Sequence, residues 1–338
     1  MAAGCDVLAW LRRVRAGRAE RRRRARRWVA CQPPVRWVVR RPVVRRARRL
    51  LAIRWVAELA RAAVGVTIGL GLILIVLPLA VQNALIYFPS NTVRSAADVG
   101  LPDAERLTVP TTDALDLDAW YVPAAGETVG AVLVLHGNAG DRADRAPLAI
   151  ALRDRGLASL LVDYRGFGGN PGTPSQQGLL DDAEAAAVVL ERHSGLERDS
   201  LVYFGESLGA APAAWLAARR PPAGLVLRSP FPSLTEVGRR RFPWLPVERL
   251  LRDHYPLASW IAGYEGPLLA IAGERDRLIP VSDSQRVVDA AGGGGRLLVV
   301  PGAGHNDLEL LAGATMLDGI TAFLRDDVGL PVRDAPAP

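Results

Sequence analysis

The stretch Leu201–Gly209 has the sequence LVYFGESLG, and Ala210–Arg219 continue it as AAPAAWLAAR. This pattern predicts a short apolar strand, a sharp turn at Gly-x-Ser-x-Gly, and then an alanine-rich helix. So tight a turn requires a strained backbone at Ser207, and the glycines on either side leave room where a side chain would clash. The start of the helix directs free N–H groups towards an incoming oxyanion. The stretch therefore predicts a nucleophile elbow in which Ser207 is the nucleophile.

Strand and helix patterns alternate around this elbow. Glu105–Pro110 and Leu115–Val122 are predicted to be half-exposed antiparallel strands, and Gly130–Leu135 is a continuous apolar run, typical of a strand buried on both faces. The other predicted elements are the strands Leu157–Asp163, Gly224–Leu227, Pro267–Ala272 and Arg296–Val300 and the helices Arg142–Arg155, Ser175–His193, Asp283–Ala291 and Asp307–Leu324. Their alternation predicts an α/β fold with a mostly parallel central sheet and helices on both faces.

A serine nucleophile needs a base, and the sequence contains four histidines. His305 lies in a glycine-rich loop directly after the last predicted strand, where it can reach back to a serine that follows the central strand. His136 ends a predicted strand next to Gly137 and is expected to shape a loop. His193 and His254 lie among polar residues and are expected at the surface. His305 is therefore the predicted base.

The base in turn needs an acid that orients it. Asp276 and Glu274 both follow the predicted strand Pro267–Ala272. Asp276 is preferred, because a Gly-x-x-Asp loop ending in Ile-Pro is the usual position of this acid in hydrolases with a serine nucleophile elbow. Glu274 remains the alternative. The resulting order of serine, aspartate and histidine along the chain is that of α/β-hydrolases. The carboxylate would hold the His305 tautomer and stabilise the imidazolium that forms when Ser207 loses its proton.

Donors for an oxyanion are predicted at two backbone positions. The sequence HGNAG at residues 136–140 follows a buried strand, and it is similar to the His-Gly oxyanion loop of lipases and esterases. The donors would be the N–H groups of Asn138 and of Leu208, the residue after the nucleophile; the alternative is a glycine-rich turn without a role. No dinucleotide or phosphate-binding motif opens a helix, and no cluster has metal-ligand spacing. Neither a cofactor nor a metal is therefore predicted.

The basic residues, all of them arginine, are concentrated at the N-terminus. Residues 1–61 contain 19 of the 42 and three acids, a net charge of +16, whereas the remainder carries −9. This segment is expected to be a disordered tail that binds anionic lipid head groups, or a translated stretch upstream of the true start. Binding to nucleic acid through phosphates alone is a weaker alternative, and no specific nucleic-acid partner is predicted. Cys5 and Cys31 both lie here, so no disulfide framework is available to the rest of the chain.

A long uncharged segment follows this tail. Residues 62–81 form an apolar run long enough to cross a hydrocarbon core of about 30 Å, and the chain stays uncharged through Phe88. We predict a single-pass signal anchor at 62–88, with Tyr87 and Phe88 in an aromatic belt at its end. The arginines before it predict a cytoplasmic N-terminus and an extracytoplasmic domain over residues 90–326. Residues 327–338 are predicted to be a frayed tail.

Several motifs together resemble a known family. From about Leu85 to Leu324 the chain is similar to the membrane-anchored α/β-hydrolases of the bud-emergence type, which are related to the serine-aminopeptidase-like group. The matching motifs are IYFPS at 86–90, HGNAG at 136–140, DYRGFG at 163–168, PGTPS at 171–175, GESLG at 205–209, SPF at 229–231, GERD at 273–276 and GH at 304–305. The resemblance implies a catalytic triad of Ser207, Asp276 and His305 and a small cap between strands, but it implies no substrate.

The cap is expected at residues 231–265, which are rich in aromatic and apolar side chains. These side chains would cover the Ser207 pocket and suit an acyl chain, or they would simply pack as ordinary helix core. The predicted function is a membrane-anchored serine hydrolase that cleaves a carboxylic ester or thioester through an acyl-enzyme, with membrane lipid as its other partner. The alternatives are a serine peptidase of the same fold and a non-catalytic, membrane-tethered binding module. The sequence predicts no oligomeric state.

Overall fold

The computed structural model describes residues 41–90 and 92–334. The chain divides into two compact units, Met1–Leu72 and Ile73–Pro338. The first 40 residues, which include both cysteines and most of the predicted arginine-rich tail, lie outside the described part of the chain, as do residues 335–338.

The first described element is the long helix α1, Arg41–Ile86. Of the described residues, Arg45–Ile73 form one helical segment that is long and apolar enough to cross a membrane, judged by length and composition. The helix begins well before the predicted anchor, so residues 41–61 of the predicted disordered tail are helical. The placement of Tyr87 in an aromatic belt is wrong, because this side chain is buried and its hydroxyl lies 2.6 Å from a carboxylate oxygen of Asp253.

The unit from Ile73 onwards contains ten strands and nine helices after α1 within the described residues, besides four short 3-10 turns. The strands are β1 (Phe88–Pro89), β2 (Glu105–Pro110), β3 (Asp116–Val122), β4 (Gly130–Leu135), β5 (Ala139–Gly140), β6 (Leu157–Val162), β7 (Leu201–Glu206), β8 (Gly224–Arg228), β9 (Leu268–Gly273) and β10 (Arg296–Val300). The helices are α2 (Ala146–Asp154), α3 (Gln176–Ser194), α4 (Ala210–Ala217), α5 (Leu234–Arg241), α6 (Val247–Leu250), α7 (Leu257–Ile261), α8 (Val281–Ala290), α9 (Glu309–Ala312) and α10 (Ala314–Asp326).

Eight strands form one sheet in the order β10-β9-β8-β7-β4-β6-β3-β2. Strand β3 runs antiparallel to both of its neighbours, and every other pair in this sheet is parallel. The predicted mostly parallel sheet and the predicted antiparallel hairpin at its start are confirmed. The carboxyl ends of the parallel strands lie at one edge, where an open α/β sheet binds its ligands.

The sheet is covered on both faces, which explains the continuous apolar runs in its central strands. All six residues of β4 are buried. Because side chains alternate between the faces of a strand, Leu133 and Leu135 join one apolar cluster, while Val132 and Val134 join the other. Helices supply the opposite side of each cluster, so the sheet is the central layer of three.

Two predictions at the C-terminus are wrong. The helix predicted over 307–324 is two helices, α9 and α10, because Gly313 between them has an extended backbone and caps the second. Residues 327–334 do not fray. Leu330 and Val332 are buried in one of the two apolar clusters, and the Arg333 N–H donates to the Arg155 carbonyl.

Candidate active site

The elbow forms at the end of β7. Ser207 has a φ of 50°, in the left-handed region that costs a non-glycine residue about 1–2 kcal/mol. A side chain at Gly205 would come within 2.6 Å of the Gly209 carbonyl oxygen, and one at Gly209 would collide with the carbonyl oxygens at the end of β4. Glycine is therefore required on both sides of Ser207, and helix α4 follows the turn, as the sequence pattern indicates.

Ser207, His305 and Asp276 lie in one hydrogen-bonded series. The Ser207 Oγ is 3.0 Å from His305 Nε2, and His305 Nδ1 is 2.6 Å from Asp276 Oδ2. The loops that follow β10 and β9 carry the histidine and the aspartate, and both strands end at the same edge of the sheet as β7. In this geometry the imidazole can accept the serine proton while the carboxylate holds its other nitrogen.

The surroundings of Asp276 favour its ionised form. The carboxyl is buried, and its other oxygen accepts the N–H groups of Leu278 at 2.9 Å and Ile279 at 2.8 Å. Burial raises the pKa of Asp276, but the hydrogen bonds from His305 and the Ile279 N–H outweigh it, so the pKa lies below its ordinary value. The competing Glu274 accepts the Gly302 N–H at 2.8 Å and is exposed, so the acid next to His305 is Asp276.

Asn138 and Leu208 both line the cavity that begins at Ser207. The loop that carries Asn138 lies against the elbow, since a side chain at Gly137 would come within 3.6 Å of the Ser207 Cβ. The end of α1 and strand β1 hold this loop in place. The Phe88 N–H donates to the Asn138 carbonyl at 2.7 Å, and the Asn138 amide donates to the Ile86 carbonyl at 2.7 Å.

Three buried charged residues behind the elbow were missed by sequence reasoning. Glu206 precedes the nucleophile, and its carboxylate lies 2.5 Å from an Arg145 nitrogen and 2.6 Å from an Arg228 nitrogen. Arg228 also donates to the His305 carbonyl at 2.9 Å, so it connects the elbow to the histidine loop. The one indication in the sequence is that Arg228 ends the otherwise apolar strand β8, all of whose residues are buried.

Ser229 is a fourth residue without a predicted role. It has a φ of 49°, is fully buried, and donates from Oγ to Asp276 Oδ2 at 3.1 Å. Asp276 therefore receives hydrogen bonds from a serine as well as from His305 and two backbone groups. The motif SPF at 229–231 was the available signal.

The other histidines lie where the sequence predicts. His136 is buried, with Nδ1 2.7 Å from the Gly137 carbonyl and its ring against Tyr164 and Phe167. His193 and His254 are exposed. In the described ranges 41–90 and 92–334, no group of three or more histidine, cysteine or acidic side chains could hold a metal ion.

Replacement of Arg228 by methionine is expected to lower the free energy of unfolding by about 3 kcal/mol, because breaking a buried ion pair leaves a charge without compensation. Arg145 remains as a partner of Glu206, so the loss should be near the lower end for such pairs. Urea unfolding measures it. The control is Arg286→Met, which breaks an exposed pair with Glu236 and should cost less than about 1 kcal/mol. Equal losses in the two variants would contradict the buried network.

Glu206 also makes stability depend on pH. Burial raises the pKa of this carboxyl, but the charges of Arg228 and Arg145 outweigh burial and hold it well below its ordinary value. The stabilisation is therefore complete above the unfolded-state pKa of about 4.3 and is lost as pH falls through the folded-state pKa. We expect the free energy of unfolding to fall as the pH is lowered below about 5 in urea titrations. Glu206→Gln should flatten that slope, and an unchanged slope would contradict the assignment.

A parallel sheet with an elbow serine, a histidine and an acid at its carboxyl edge defines the α/β-hydrolase class. The chain belongs to the α/β-hydrolase superfamily, and residues 126–262 match the family model described as serine aminopeptidase, S33.

Two relatives illustrate the sequence similarity. An uncharacterized protein of Mycobacterium tuberculosis (strain H37Rv) is 54% identical over 247 residues, which cover 72% of this chain and 88% of the relative. The uncharacterized protein YfhR of Escherichia coli (strain K12) is 32% identical over 232 residues, which cover 65% of this chain and 79% of that protein. The similarity therefore spans most of each relative.

Solved structures share the fold. The Pyrococcus furiosus esterase Pf2001 matches with a TM-score of 0.59 and 21% identity, over 72% of this chain and 98% of that chain. The Thermogutta terrifontis esterase Est2 matches with a TM-score of 0.54 and 19% identity, over 69% of this chain and 95% of that chain. The chain therefore shares the fold of these two enzymes.

Proposed function

We propose that this protein is a membrane-anchored serine hydrolase that cleaves a carboxylic ester or thioester through an acyl-enzyme on Ser207. The observation that carries the proposal is the hydrogen-bonded series from Ser207 Oγ through His305 to the buried Asp276 carboxylate. Strain at the elbow and the arrangement of both neighbouring loops support it, because they expose the serine hydroxyl to the cavity.

In the proposed reaction the Ser207 oxygen attacks the acyl carbonyl while His305 Nε2 takes the serine proton. The Asn138 and Leu208 N–H groups stabilise the oxyanion of the tetrahedral intermediate. His305 then gives the proton to the departing alcohol or thiol, and the acyl group stays on Ser207. A water molecule, deprotonated by His305, attacks the acyl-enzyme. His305 then returns this proton to Ser207 Oγ as the bond between the acyl carbon and Oγ breaks, which releases the carboxylic acid and restores the enzyme. Asp276 keeps the imidazole in the required tautomer throughout.

A serine peptidase is the second candidate, because the matched family model is described as a serine aminopeptidase. The lining of the cavity at Ser207 favours an ester substrate over a peptide with a free N-terminus. An aminopeptidase needs a group that binds the ammonium of a free N-terminus, whereas the residues described as lining this cavity include no carboxylate, and the charged one among them is Arg241.

Membrane attachment is part of the proposal. The segment 62–88 would anchor the chain, with the N-terminus cytoplasmic and the hydrolase domain extracytoplasmic, since arginines precede the span. The helical segment Arg45–Ile73, apolar enough to cross a membrane, supports an anchor in this region. Retention of the protein in the membrane pellet after alkaline carbonate extraction would be expected, and its release would contradict the anchor.

Fluorophosphonate labelling of isolated membranes tests the serine chemistry. A small alkyl fluorophosphonate should label the wild-type protein and should not label the Ser207→Ala variant, because the reagent captures an activated serine. Absence of labelling in the folded wild-type protein would overturn the proposed mechanism and would favour a non-catalytic binding module.

A further inference from the structure

The cavity at Ser207 is large for a site that serves the ester bond alone. Its volume is about 570 Å³, within the range of sites that enclose whole small-molecule ligands. It begins at Ser207 and Leu208 and continues beneath the cap, where Leu234 and Val237 of α5 and Leu250 of α6 line it. A group bound in this cavity would therefore be attached directly to the carbonyl that reacts with Ser207.

The chemistry of the lining favours hydrocarbon. The cavity surface is almost entirely apolar side chain, and the polar contributors are Gln82, Asn138, Ser207 and the charged Arg241. Arg239 and Arg240 of the same helix lie 2.8 Å and 2.5 Å from carboxylate oxygens outside the lining. A polar substrate group would recover few hydrogen bonds for the hydration that it loses in such a cavity, whereas an alkyl chain has no hydrogen bonds to lose.

A second wall of the same cavity comes from the last turns of α1 and the residues that follow the helix. Leu85, Ile86 and Phe88 line it together with residues of the cap. Hydrogen bonds hold this wall to the cap. Tyr87 Oη lies 2.6 Å from Asp253 Oδ2 and 2.8 Å from Tyr255 Oη, and the Arg252 N–H donates to Gln82 Oε1 at 2.9 Å.

Three large apolar side chains of the lining remain open to solvent. Leu85 is 55% exposed, Phe88 50% and Trp244 69%. Grouped apolar exposure of this kind marks a surface that binds an apolar partner or a membrane. In the chain, Leu85 and Phe88 also belong to the uncharged segment 62–88 proposed as the anchor.

We propose that this cavity is an acyl-chain site and that the substrates are long-chain esters or thioesters held in the same membrane as the protein. The proposal rests on the proposed function and names the substrate class of that site. The acyl chain lies between the cap and residues 82–88, its carbonyl carbon reaches Ser207 Oγ, and the alcohol or thiol leaves towards solvent. Each methylene taken from water into an apolar site is worth about a fourfold gain in binding, so kcat/KM should rise with chain length until the cavity is full.

The test uses the full chain in phosphatidylcholine vesicles with p-nitrophenyl acetate, octanoate and palmitate. The wild-type protein should prefer the longer esters. Leu85→Asp places a charge on the wall, and Phe242→Ala with Trp244→Ala removes two aromatic side chains of the cap that line the cavity. Both variants should lower the palmitate-to-acetate ratio of kcat/KM by at least about tenfold. Val299→Asp, at an exposed apolar position outside the lining, should leave the ratio unchanged.

Labelling by a small alkyl fluorophosphonate distinguishes failure of the acyl-chain site from failure of the proposed serine hydrolase function. Normal labelling with equal losses for acetate and palmitate in the variants, or a wild type that hydrolyses acetate best, would overturn the acyl-chain site and leave the serine hydrolase intact. A wild type that is neither labelled nor active on any ester would overturn the proposed function and this site with it. Normal labelling with the expected change in ratio would support both.

Discussion

Ser207→Ala is expected to lower kcat for ester hydrolysis by about 10⁶-fold, because removal of a triad nucleophile leaves binding and oxyanion stabilisation alone. The substitution deletes one oxygen at a position that is already strained and buried, so the fold should remain. Hydrolysis of p-nitrophenyl butyrate by the purified protein measures the loss, and the melting temperature checks the fold.

Ser229→Ala is the matched control for this variant. Ser229 has the same left-handed backbone and is likewise buried. Its hydroxyl donates to Asp276 Oδ2, however, so Asp276 and His305 lie between it and the Ser207 oxygen. Its loss should cost no more than about tenfold, because one of several hydrogen bonds to the carboxylate disappears. If the two serine variants lose activity equally, or if Ser207→Ala stays active, Ser207 is not the nucleophile.

Asp276→Asn is expected to lower kcat by about 10⁴-fold. The wild-type carboxylate accepts from His305 Nδ1 at 2.6 Å, which leaves Nε2 free to accept the Ser207 proton. An amide in its place can donate to Nδ1, which stabilises the tautomer that carries its proton on Nε2 and cannot act as the base. Ester hydrolysis at saturating substrate measures kcat, and fluorophosphonate labelling of Ser207 should slow in parallel.

Glu274→Gln serves as the control, since it makes the same chemical change two residues earlier in the same loop. Glu274 is exposed and accepts the Gly302 N–H, so the amide should change kcat by less than about threefold. A large loss in Glu274→Gln with a small loss in Asp276→Asn would reverse the assignment of the acid.

Much of the fold could be predicted from local pattern. The continuous apolar run of β4 indicates a strand buried on both faces, the alternation in β2 and β3 indicates an antiparallel hairpin, and the glycines around Ser207 indicate a tight strand-to-helix turn. Each signal depends on residues adjacent in the chain, whose backbone preferences and periodicity are local properties. The order of Ser207, Asp276 and His305 is likewise a property of the chain, and their catalytic roles remain predictions.

Contacts between residues that are far apart in the chain could not be predicted in this way. Glu206 needs Arg145, 61 residues earlier, and Arg228, 22 residues later, and neither arginine carries a local signal of that pairing. Tyr87 was predicted to lie in an aromatic belt because it follows an apolar run. Its hydroxyl is buried, however, and therefore requires a hydrogen-bond partner, which is Asp253 in the cap. The C-terminal residues were predicted to fray, yet Leu330 and Val332 fill an apolar cluster.

By itself, the sequence determined the class of fold, the elbow and the approximate bounds of most strands, because strand and turn preferences act between neighbours in the chain. The tertiary structure decided between the preferred Asp276 and the alternative Glu274 as the carboxylate that meets His305. It alone decided which arginines neutralise Glu206 and that residues 82–88 form a wall of the cavity. These outcomes depend on burial, because a charge or hydroxyl removed from water is stable only beside a partner that the folded chain brings to it.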